Sequence, residues 1–258
     1  MASGAADLIW QLWNSGEVID KLPEDLRPKT RGDGYAIQTE LAALSRKPIF
    51  GWKIAATSSA GQQHIGVSGP IAGRLLAERA HQDGAELVFG DNRMRVTEPE
   101  FAFRLGTSLG PTDEPYSVDE VLDAVSSLHP AIEVPDSRFE DFTSAGEAQL
   151  IADNACAHEF VIGPAAEMDW RAIDLKQHEV HVECIGGDAY GGIGSNVLGD
   201  PRVALQWLVN EVTALGLTIE AGQVVTTGTC AEPLEIEPDD EVIMDFGSLG
   251  RVEVAFTG

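Results

Sequence analysis

Basic residues are scarce in this sequence. Only 17 Lys and Arg stand against 42 Asp and Glu, which gives a formal net charge of -25 at pH 7. A nucleic-acid-binding protein needs a basic face to neutralise phosphates, and anionic membrane surfaces attract basic segments. The composition therefore argues against nucleic acids and membrane surfaces as partners. Such an excess of carboxylates also raises the local concentration of divalent cations around the protein.

Cysteine is scarce as well. The three cysteines, Cys156, Cys184 and Cys230, are widely spaced, so no CxxC or zinc-binding pattern can be built from them. Free thiols in a reducing cytoplasm are the simplest interpretation. No apolar run approaches the roughly 20 residues that span a bilayer, and the N-terminus lacks the basic leader of a signal peptide. We therefore expect a soluble cytoplasmic protein.

The hydrophobic pattern predicts an α+β fold. Helices are predicted at 4–18, 35–44, 117–128 and 201–215. Strands are predicted at 48–56, 87–89, 93–96, 98–106, 131–134, 178–185, 224–227, 241–246 and 251–256. A glycine-rich loop is expected to precede the helix that begins at Pro201. Since strands and helices do not alternate regularly, the pattern excludes a Rossmann sheet. We expect one domain over 1–258, with a helical region at 1–47 and a β-rich core at 48–258.

Three glutamates form the first candidate site. In Glu98-Pro99-Glu100 both carboxylates project from one face of a strand, and Pro99 suits a sheet edge or a bulge. Glu133 lies in an otherwise apolar strand, where an unpaired charge is costly. Three hard oxygen ligands with positions left for water and substrate describe a Mg²⁺ or Mn²⁺ site. The alternative is that Glu98 and Glu100 form a solvated strand face.

Lys53 is the second candidate. It lies inside the apolar segment Gly51-Trp52-Lys53-Ile54, and a buried lysine needs a carboxylate partner or a catalytic task. An outward-facing lysine on a half-exposed strand is the alternative interpretation.

Seven segments, in order from about Arg27 to the C-terminus, resemble the 2-keto-4-pentenoate hydratase and 4-oxalocrotonate decarboxylase family of the fumarylacetoacetate hydrolase superfamily. The segments are GWKIAATSSAGQQHIGV, TEPEFAFRLG, AIEVPDSRF, IADNACAHEFVIG, GSNVLGDPRVALQWLVN, VVTTGTC and DFGSLGRVEVAF. The resemblance implies a fumarylacetoacetate-hydrolase-type mixed β-roll core with a small N-terminal helical region. It does not identify the substrate, because one fold supports several reactions.

The resemblance also implies roles for individual residues. Glu98, Glu100 and Glu133 match the metal-binding carboxylates, usually for Mg²⁺ or Mn²⁺, and Lys53 matches the active-site lysine. Glu78 stands near the position of an aspartate that transfers protons in many relatives. Residues expected to border the substrate are Gln38, Thr57, Ser58, Cys156, Thr227, Gly228 and Thr229.

The resemblance predicts a metal-dependent lyase that hydrates 2-hydroxypenta-2,4-dienoate, or a close homologue, in aromatic meta-cleavage catabolism. Lys53 and Glu78 are the candidates for moving protons or orienting water. Glu232, before Pro233, argues against a second substrate carboxylate and so favours a monoacid. The alternatives are a 4-oxalocrotonate-type decarboxylase, an acylpyruvate-type C–C hydrolase and a non-catalytic partner subunit. A homo-oligomer, and a complex with a pathway partner enzyme, are expected as well.

Overall fold

The computed structural model describes residues 2–258, with side chains from Gly4 onward. Six α-helices lie in this range: α1 Ala2–Ser15, α2 Arg31–Leu44, α3 Ser59–Ile65, α4 Val118–Asp123, α5 Glu147–Ala152 and α6 Pro201–Ala214. The strands are β1 Ile49–Ala55, β2 Ile71–Leu76, β3 Ala80–Gln82, β4 Ala85–Val88, β5 Val96–Leu105, β6 Val125–Val134, β7 Glu159–Ile162, β8 Glu179–Cys184, β9 Ala189–Ile193, β10 Val224–Thr229, β11 Leu234–Glu235, β12 Glu241–Asp245 and β13 Arg251–Thr257. Each helix in this range is too short or too polar to cross a membrane.

Two sheets form the core, as an α+β fold requires. The larger sheet has the strand order β2-β1-β10-β5-β6-β7-β3, with β11 paired to β5. The smaller sheet has the order β4-β13-β12-β8-β9. Both sheets are mixed, since β1 pairs with β10 and β13 pairs with β4 in parallel, whereas β5 and β6 are antiparallel. The predicted fold class is confirmed.

Strand alternation in β5 separates the apolar core from the polar face. Phe101 and Phe103 project from one face, and Glu98 and Glu100 project from the other. Phe101 is fully buried and meets Phe246, which follows β12, with ring centroids 5.2 Å apart. The smaller sheet therefore covers the phenylalanine face of the larger sheet. The glutamates are left on the opposite face.

The predicted helix at 117–128 is wrong in its second half. Helix α4 begins after the N-cap Ser117, whose side chain accepts a hydrogen bond from the Glu120 N–H, and it ends at Asp123. The following residues belong to β6, where Ser127 pairs with Arg104 and Leu128 with Phe103. The apolar spacing of this segment suits a helix, but pairing with β5 overrides it.

Two further predictions need correction. The predicted strand at 93–96 is wrong except for Val96, because the N–H groups of Arg93 and Met94 bind the Asp136 side chain instead of a neighbouring strand. The segment expected to be a glycine-rich loop contains β9, whose Gly191 and Gly192 pair with β8. The pattern also failed to predict β2, β3, β7 and β11.

Helix α1 is fastened to the core through Trp13. Its indole N–H donates to Nδ1 of His158 at 2.9 Å, and the Arg138 guanidinium lies 4.5 Å from the centroid of its ring. Burial lowers the pKa of His158 to about 4, although the nearby Glu159 carboxylate acts in the opposite direction. His158 is therefore a neutral hydrogen-bond acceptor near pH 7.

We expect His158 to make the protein more sensitive to acid. Its folded-state pKa lies below the ordinary value of 6.5, so the stabilisation is complete above pH 6.5 and is lost as the pH falls toward about 4. Between pH 7.5 and 5.5 the free energy of unfolding should therefore fall roughly 1 kcal/mol more in the wild type than in His158→Gln. Urea denaturation at both pH values measures this difference. His64→Gln is the control because His64 is exposed, and an equal acid response of all three proteins would contradict the prediction.

Candidate metal and active site

Three carboxylates meet on the polar face of the larger sheet. Glu98 and Glu133 face each other directly across β5 and β6, and Glu100 lies two residues further along β5. One carboxylate oxygen from each of the three lies within 4.8 Å of the others. Glu100 and Glu133 are buried, and Glu98 is half-buried. The structure thus brings together the predicted ligand set, and the alternative of a solvated strand face is excluded.

Pro99 does not lie at a sheet edge, because β5 is paired on both sides. It lies instead beside a bulge, where the pairing of β10 with β5 shifts between Thr226 and Thr229. Of the two predicted positions for Pro99, the bulge is confirmed and the sheet edge is wrong.

Lys53 joins the three glutamates from β1. Its Nζ lies 2.8 Å from Oε1 of Glu133 and donates a hydrogen bond of 3.0 Å to the carbonyl oxygen of Ala155. The side chain is only 3% exposed, so the alternative of an outward-facing lysine is excluded. Burial alone would lower the pKa of Lys53, but the negative charges of the surrounding carboxylates outweigh burial and raise it. The lysine is therefore a cation.

Three ionised glutamates would carry more negative charge than one ammonium can neutralise. Burial, followed by repulsion from Glu133, raises the pKa of Glu98 to about 7, although Lys53 opposes the rise. Burial, repulsion from Glu133 and repulsion from Glu98 together raise the pKa of Glu100 well above its ordinary value. A second positive charge at this place would remove the repulsion.

Several carboxylate oxygens in the cluster have no hydrogen-bond donor among residues 2–258. These are Oε1 of Glu100 and both oxygens of Glu133. The Lys53 ammonium is close to Glu133, but it is not aligned for a hydrogen bond. Buried oxygens without donors are rare unless an ion or water completes them. The all-oxygen donor set therefore fits a hard divalent cation.

Gly228 orients the third carboxylate. Its N–H donates a hydrogen bond of 3.0 Å to Oε2 of Glu100, so that only Oε1 remains free. Gly228 has φ of +87°, and a Cβ at this position would lie 2.6 Å from both side-chain branches of Thr57. Glycine thus permits the backbone to approach β1 and the Glu100 carboxylate at the same time.

Four further predicted substrate residues make hydrogen bonds with backbone groups of the protein. The Thr57 carbonyl accepts from the Leu198 N–H, and the exposed Ser58 caps α3 by accepting from the Gly61 N–H. The hydroxyls of Thr227 and Thr229 donate to the carbonyls of Phe101 and Ala231 respectively. Only Gly228 directly contacts a metal-ligand candidate through a hydrogen bond.

Cys156 is buried and adjoins Ala155, the residue whose carbonyl binds Lys53. Burial, followed by the negative charge of Asp153, raises the pKa of the Cys156 thiol to about 12. The thiol is therefore protonated near neutral pH, so thiolate chemistry at Cys156 is not favoured.

Gln38 and Glu78 are not brought into the cluster. The Gln38 amide donates to the carbonyls of Ala72 and Ile151, and its oxygen accepts from Arg74. Glu78 accepts a hydrogen bond of 2.8 Å from Ser45. Because Leu76 pairs with Ile49 whereas Gly73 pairs with Lys53, Glu78 follows the far end of β2.

Sequence reasoning missed two parts of the site. Thr226, not Thr227, shares the polar face with Glu100, and its buried hydroxyl has no partner in the described part of the chain. Asn154 and Ala155 approach Lys53 from a loop with left-handed backbone angles. Asparagine adopts that conformation more readily than other non-glycine residues, which is the one signal the sequence offered.

Comparison with known proteins agrees with this architecture. A model of the fumarylacetoacetate hydrolase C-terminal family matches residues 76–257, so the chain belongs to this family. The chain is 29% identical to a 2-keto-4-pentenoate hydratase of Paraburkholderia xenovorans, over 98% of this chain and 93% of the hydratase. It is 31% identical to a 2-keto-4-pentenoate hydratase of Burkholderia vietnamiensis, over 86% of this chain and 85% of the hydratase.

A solved structure matches nearly the whole chain. The 4-oxalocrotonate decarboxylase from Pseudomonas putida, complexed with magnesium and adipate, superposes with a TM-score of 0.88 at 26% identity. The match covers 99% of this chain and 97% of the decarboxylase. The predicted resemblance is confirmed by both comparisons.

Gly228→Ala is expected to lower the affinity for Mg²⁺ about 10-fold or more, because the new methyl group collides with Thr57 and moves the N–H that holds Glu100. Isothermal titration with MgCl₂ measures the change. Gly222→Ala is the matched control: Gly222 has a similar φ of +89°, but a Cβ there meets no atom within 4 Å. Equal affinities of the two variants would show that the contact with Thr57 does not matter.

Proposed function

We propose that this chain is a divalent-metal-dependent hydro-lyase that hydrates 2-hydroxypenta-2,4-dienoate (2-keto-4-pentenoate), or a close homologue, to a 4-hydroxy-2-keto acid. The observation that carries the proposal is the buried cluster of Glu98, Glu100 and Glu133 beside the ammonium of Lys53. Similarity to hydratases along nearly the whole chain supports the choice of reaction. A place in aromatic meta-cleavage catabolism agrees with this substrate.

The metal is proposed to be Mg²⁺ or Mn²⁺, held by Glu98, Glu100 and Glu133. Carboxylate oxygens suit both of these hard cations. When bound, the cation would act as a Lewis acid that stabilises negative charge on the carboxylate and C2 oxygen of the substrate. Gly228 keeps Glu100 turned toward the cluster through its N–H.

Lys53 is proposed to hold and move protons at its Nζ. The Ala155 carbonyl holds the ammonium through a hydrogen bond and the Glu133 carboxylate holds it by charge, so N–H groups of Nζ that do not bind Ala155 can reach the substrate. A positioned ammonium can stabilise an enolate-like charge and deliver a proton to carbon. Because Glu78 follows the far end of β2, its predicted role in proton transfer is not part of this proposal.

The substrate is proposed to lie between the cluster and the loops that carry Thr57, Cys156 and Gly228. Ser58 and Thr229 are placed at the margin of this space, because their hydroxyls already bind the protein backbone. The protonated Cys156 thiol then serves as part of the pocket wall. Gln38 supports the wall from behind by bridging β2 and α5.

Decarboxylation is the second candidate reaction. It is favoured by the close superposition on the 4-oxalocrotonate decarboxylase. Loss of CO₂ from C1 and hydration both place negative charge on the C2 oxygen of the substrate, so one cluster of carboxylates and one lysine can serve either reaction. Acylpyruvate-type C–C hydrolysis has no comparable support, and an intact cluster speaks against a non-catalytic partner subunit.

The reaction can be decided with two substrates. Purified protein with MgCl₂ or MnCl₂ should consume 2-hydroxypenta-2,4-dienoate with loss of its ultraviolet absorbance, and should yield a 4-hydroxy-2-keto acid. The same protein should release no CO₂ from 2-oxo-3-hexenedioate. Release of CO₂ without hydration of the first substrate would favour the decarboxylase, and metal binding without either reaction would favour a partner subunit.

A homo-oligomer in the cytoplasm, with or without a pathway partner enzyme, is part of the proposal. The three cysteines are buried and free, which suits a reducing compartment. Light scattering after size-exclusion chromatography would give the oligomeric state.

A further inference from the structure

The segment Asn154–Cys156 has a rare backbone conformation. Its three consecutive residues have φ values of 56°, 54° and 59°, all in the left-handed region. Each non-glycine residue in this region costs free energy, so such a run persists only where surrounding contacts enforce it. It lies beside the Lys53 ammonium, which binds the Ala155 carbonyl at its centre.

The Asn154 side chain supplies the contacts that hold this segment to β2. Its Oδ1 accepts a hydrogen bond of 2.7 Å from the Arg74 N–H, and its Nδ2 donates one of 2.7 Å to the Arg74 carbonyl. Reversing the carboxamide would place donor against donor and acceptor against acceptor, so the partners fix its orientation. Asn154 is 1% exposed, and both bonds are therefore shielded from water.

Strand β2 connects this contact to Lys53. Gly73 pairs with Lys53, and its neighbour Arg74 pairs with Trp52 on the same strand as the lysine. A Cβ at Gly73 would lie 2.4 Å from the Asn154 carbonyl oxygen and 3.0 Å from Cδ of Lys53. The Asn154–Cys156 segment, β2 and the aliphatic part of the Lys53 side chain thus approach one another closely at Gly73. The Asn154 carboxamide fastens the loop to the adjacent residue.

We propose that Asn154 is a positioning residue for Lys53. Its carboxamide fastens the left-handed segment to Arg74, and this positions the Ala155 carbonyl to accept a hydrogen bond from the Lys53 ammonium. This hydrogen bond keeps the ammonium beside Glu133 and prevents it from moving further into the cluster of carboxylates. Without this anchor the ammonium binds the glutamates more closely and competes with the divalent cation. The inference rests on the proposed role of Lys53 in the hydratase reaction.

Asn154→Gly tests the proposal, because glycine adopts the left-handed conformation without strain but lacks the carboxamide. We expect kcat with 2-hydroxypenta-2,4-dienoate to fall about 10- to 100-fold, with KM changing less than about threefold. We also expect the Kd for MgCl₂ alone, measured by isothermal titration, to rise about threefold to tenfold. Asn154→Asp keeps the acceptor for the Arg74 N–H, so its kcat should lie between those of Asn154→Gly and the wild type. If the glycine variant does not fold, Asn154→Asp is compared with the wild type instead.

Two comparisons separate positioning from general destabilisation. Asn92→Gly removes another buried carboxamide that bridges the backbone, to Pro135 and Arg95, and it should leave kcat and the Mg²⁺ affinity unchanged. In a Lys53→Met background, Asn154→Gly should lower kcat no further, because the residue it positions is gone. The proposal would be overturned if Asn154→Gly left kcat and the Mg²⁺ affinity unchanged. It would also be overturned if Asn154→Gly lowered kcat by the same factor in the Lys53→Met background as in the wild type.

The metal titration also keeps this test independent of the reaction. If the wild-type protein binds Mg²⁺ but does not hydrate the dienoate, the proposed function fails. In that case the change in Kd between wild type and Asn154→Gly still decides the role of Asn154: an increase supports it, and an unchanged Kd overturns it.

Discussion

Replacing Glu133 with glutamine is expected to lower the affinity for Mg²⁺ at least ~100-fold and kcat/KM at least ~1000-fold. Glu133 faces Glu98 across the sheet, lies beside Lys53, and offers two oxygens without donors in the described structure. An amide removes the negative charge and leaves only one oxygen able to bind a cation. The other two proposed ligands, Glu98 and Glu100, would then hold the metal from one strand only.

Isothermal titration with MgCl₂ and a hydration assay at saturating metal measure the two effects of Glu133→Gln. Glu235→Gln is the matched control, because it makes the same substitution on an exposed residue of β11, the strand that pairs with β5. A Glu133→Gln protein that binds Mg²⁺ as tightly as the control would remove Glu133 from the ligand set.

Lys53→Met is expected to have the second large effect, on both activity and stability. Loss of the ammonium that is proposed to carry protons should lower kcat about 100- to 10,000-fold. Without metal, the three glutamates also lose the cation that lies 2.8 Å from Glu133, and removal of one partner from a buried ion pair costs about 3–5 kcal/mol. If the folded cluster holds Mg²⁺ as proposed, the ion should restore part of this stability by mass action.

Urea denaturation of Lys53→Met with a chelator and with saturating MgCl₂ would measure the stability change. The metal-induced gain in free energy of unfolding should be larger in Lys53→Met than in the wild type. Lys47→Met is the control, because Lys47 is exposed and precedes the same strand. If Mg²⁺ stabilises all three proteins equally, the ammonium does not offset the glutamate charges.

Much of the candidate metal site could be predicted from the sequence because its residues follow simple rules. The period of two places Glu98 and Glu100 on one face, and the apolar surroundings of Glu133 require a partner for its charge. The same reasoning predicts a partner for the charge of Lys53, which also lies among apolar residues. Each rule depends only on a few adjacent residues, so it holds before the partner strands are known.

The parts that could not be predicted depend on distant pairing. The bulge between Thr226 and Thr229 shifts the register by one residue, and such a shift moves side chains to the other face of the sheet. Thr226 pairs with Ala102 before this bulge, and Thr229, instead of Gly228, pairs with Glu100 after it. Thr227, whose hydroxyl donates to the Phe101 carbonyl, lies within the bulge. Strand β6 is longer than predicted because β5 pairs along its length, and the left-handed run at Asn154 is enforced by β2.

The position of β10 in the larger sheet has a consequence for how the chain folds. Strand β10 lies between β1, which carries Lys53, and β5, which carries Glu98 and Glu100. It pairs Gly51 with Val224, residues from opposite ends of the chain, and closing so long a loop is slow. The glutamates of β5 and β6 can meet early during synthesis, because these two antiparallel strands are neighbours along the chain. We therefore expect Lys53 and the glutamates to come together only after the C-terminal part has left the ribosome and β10 has inserted between β1 and β5.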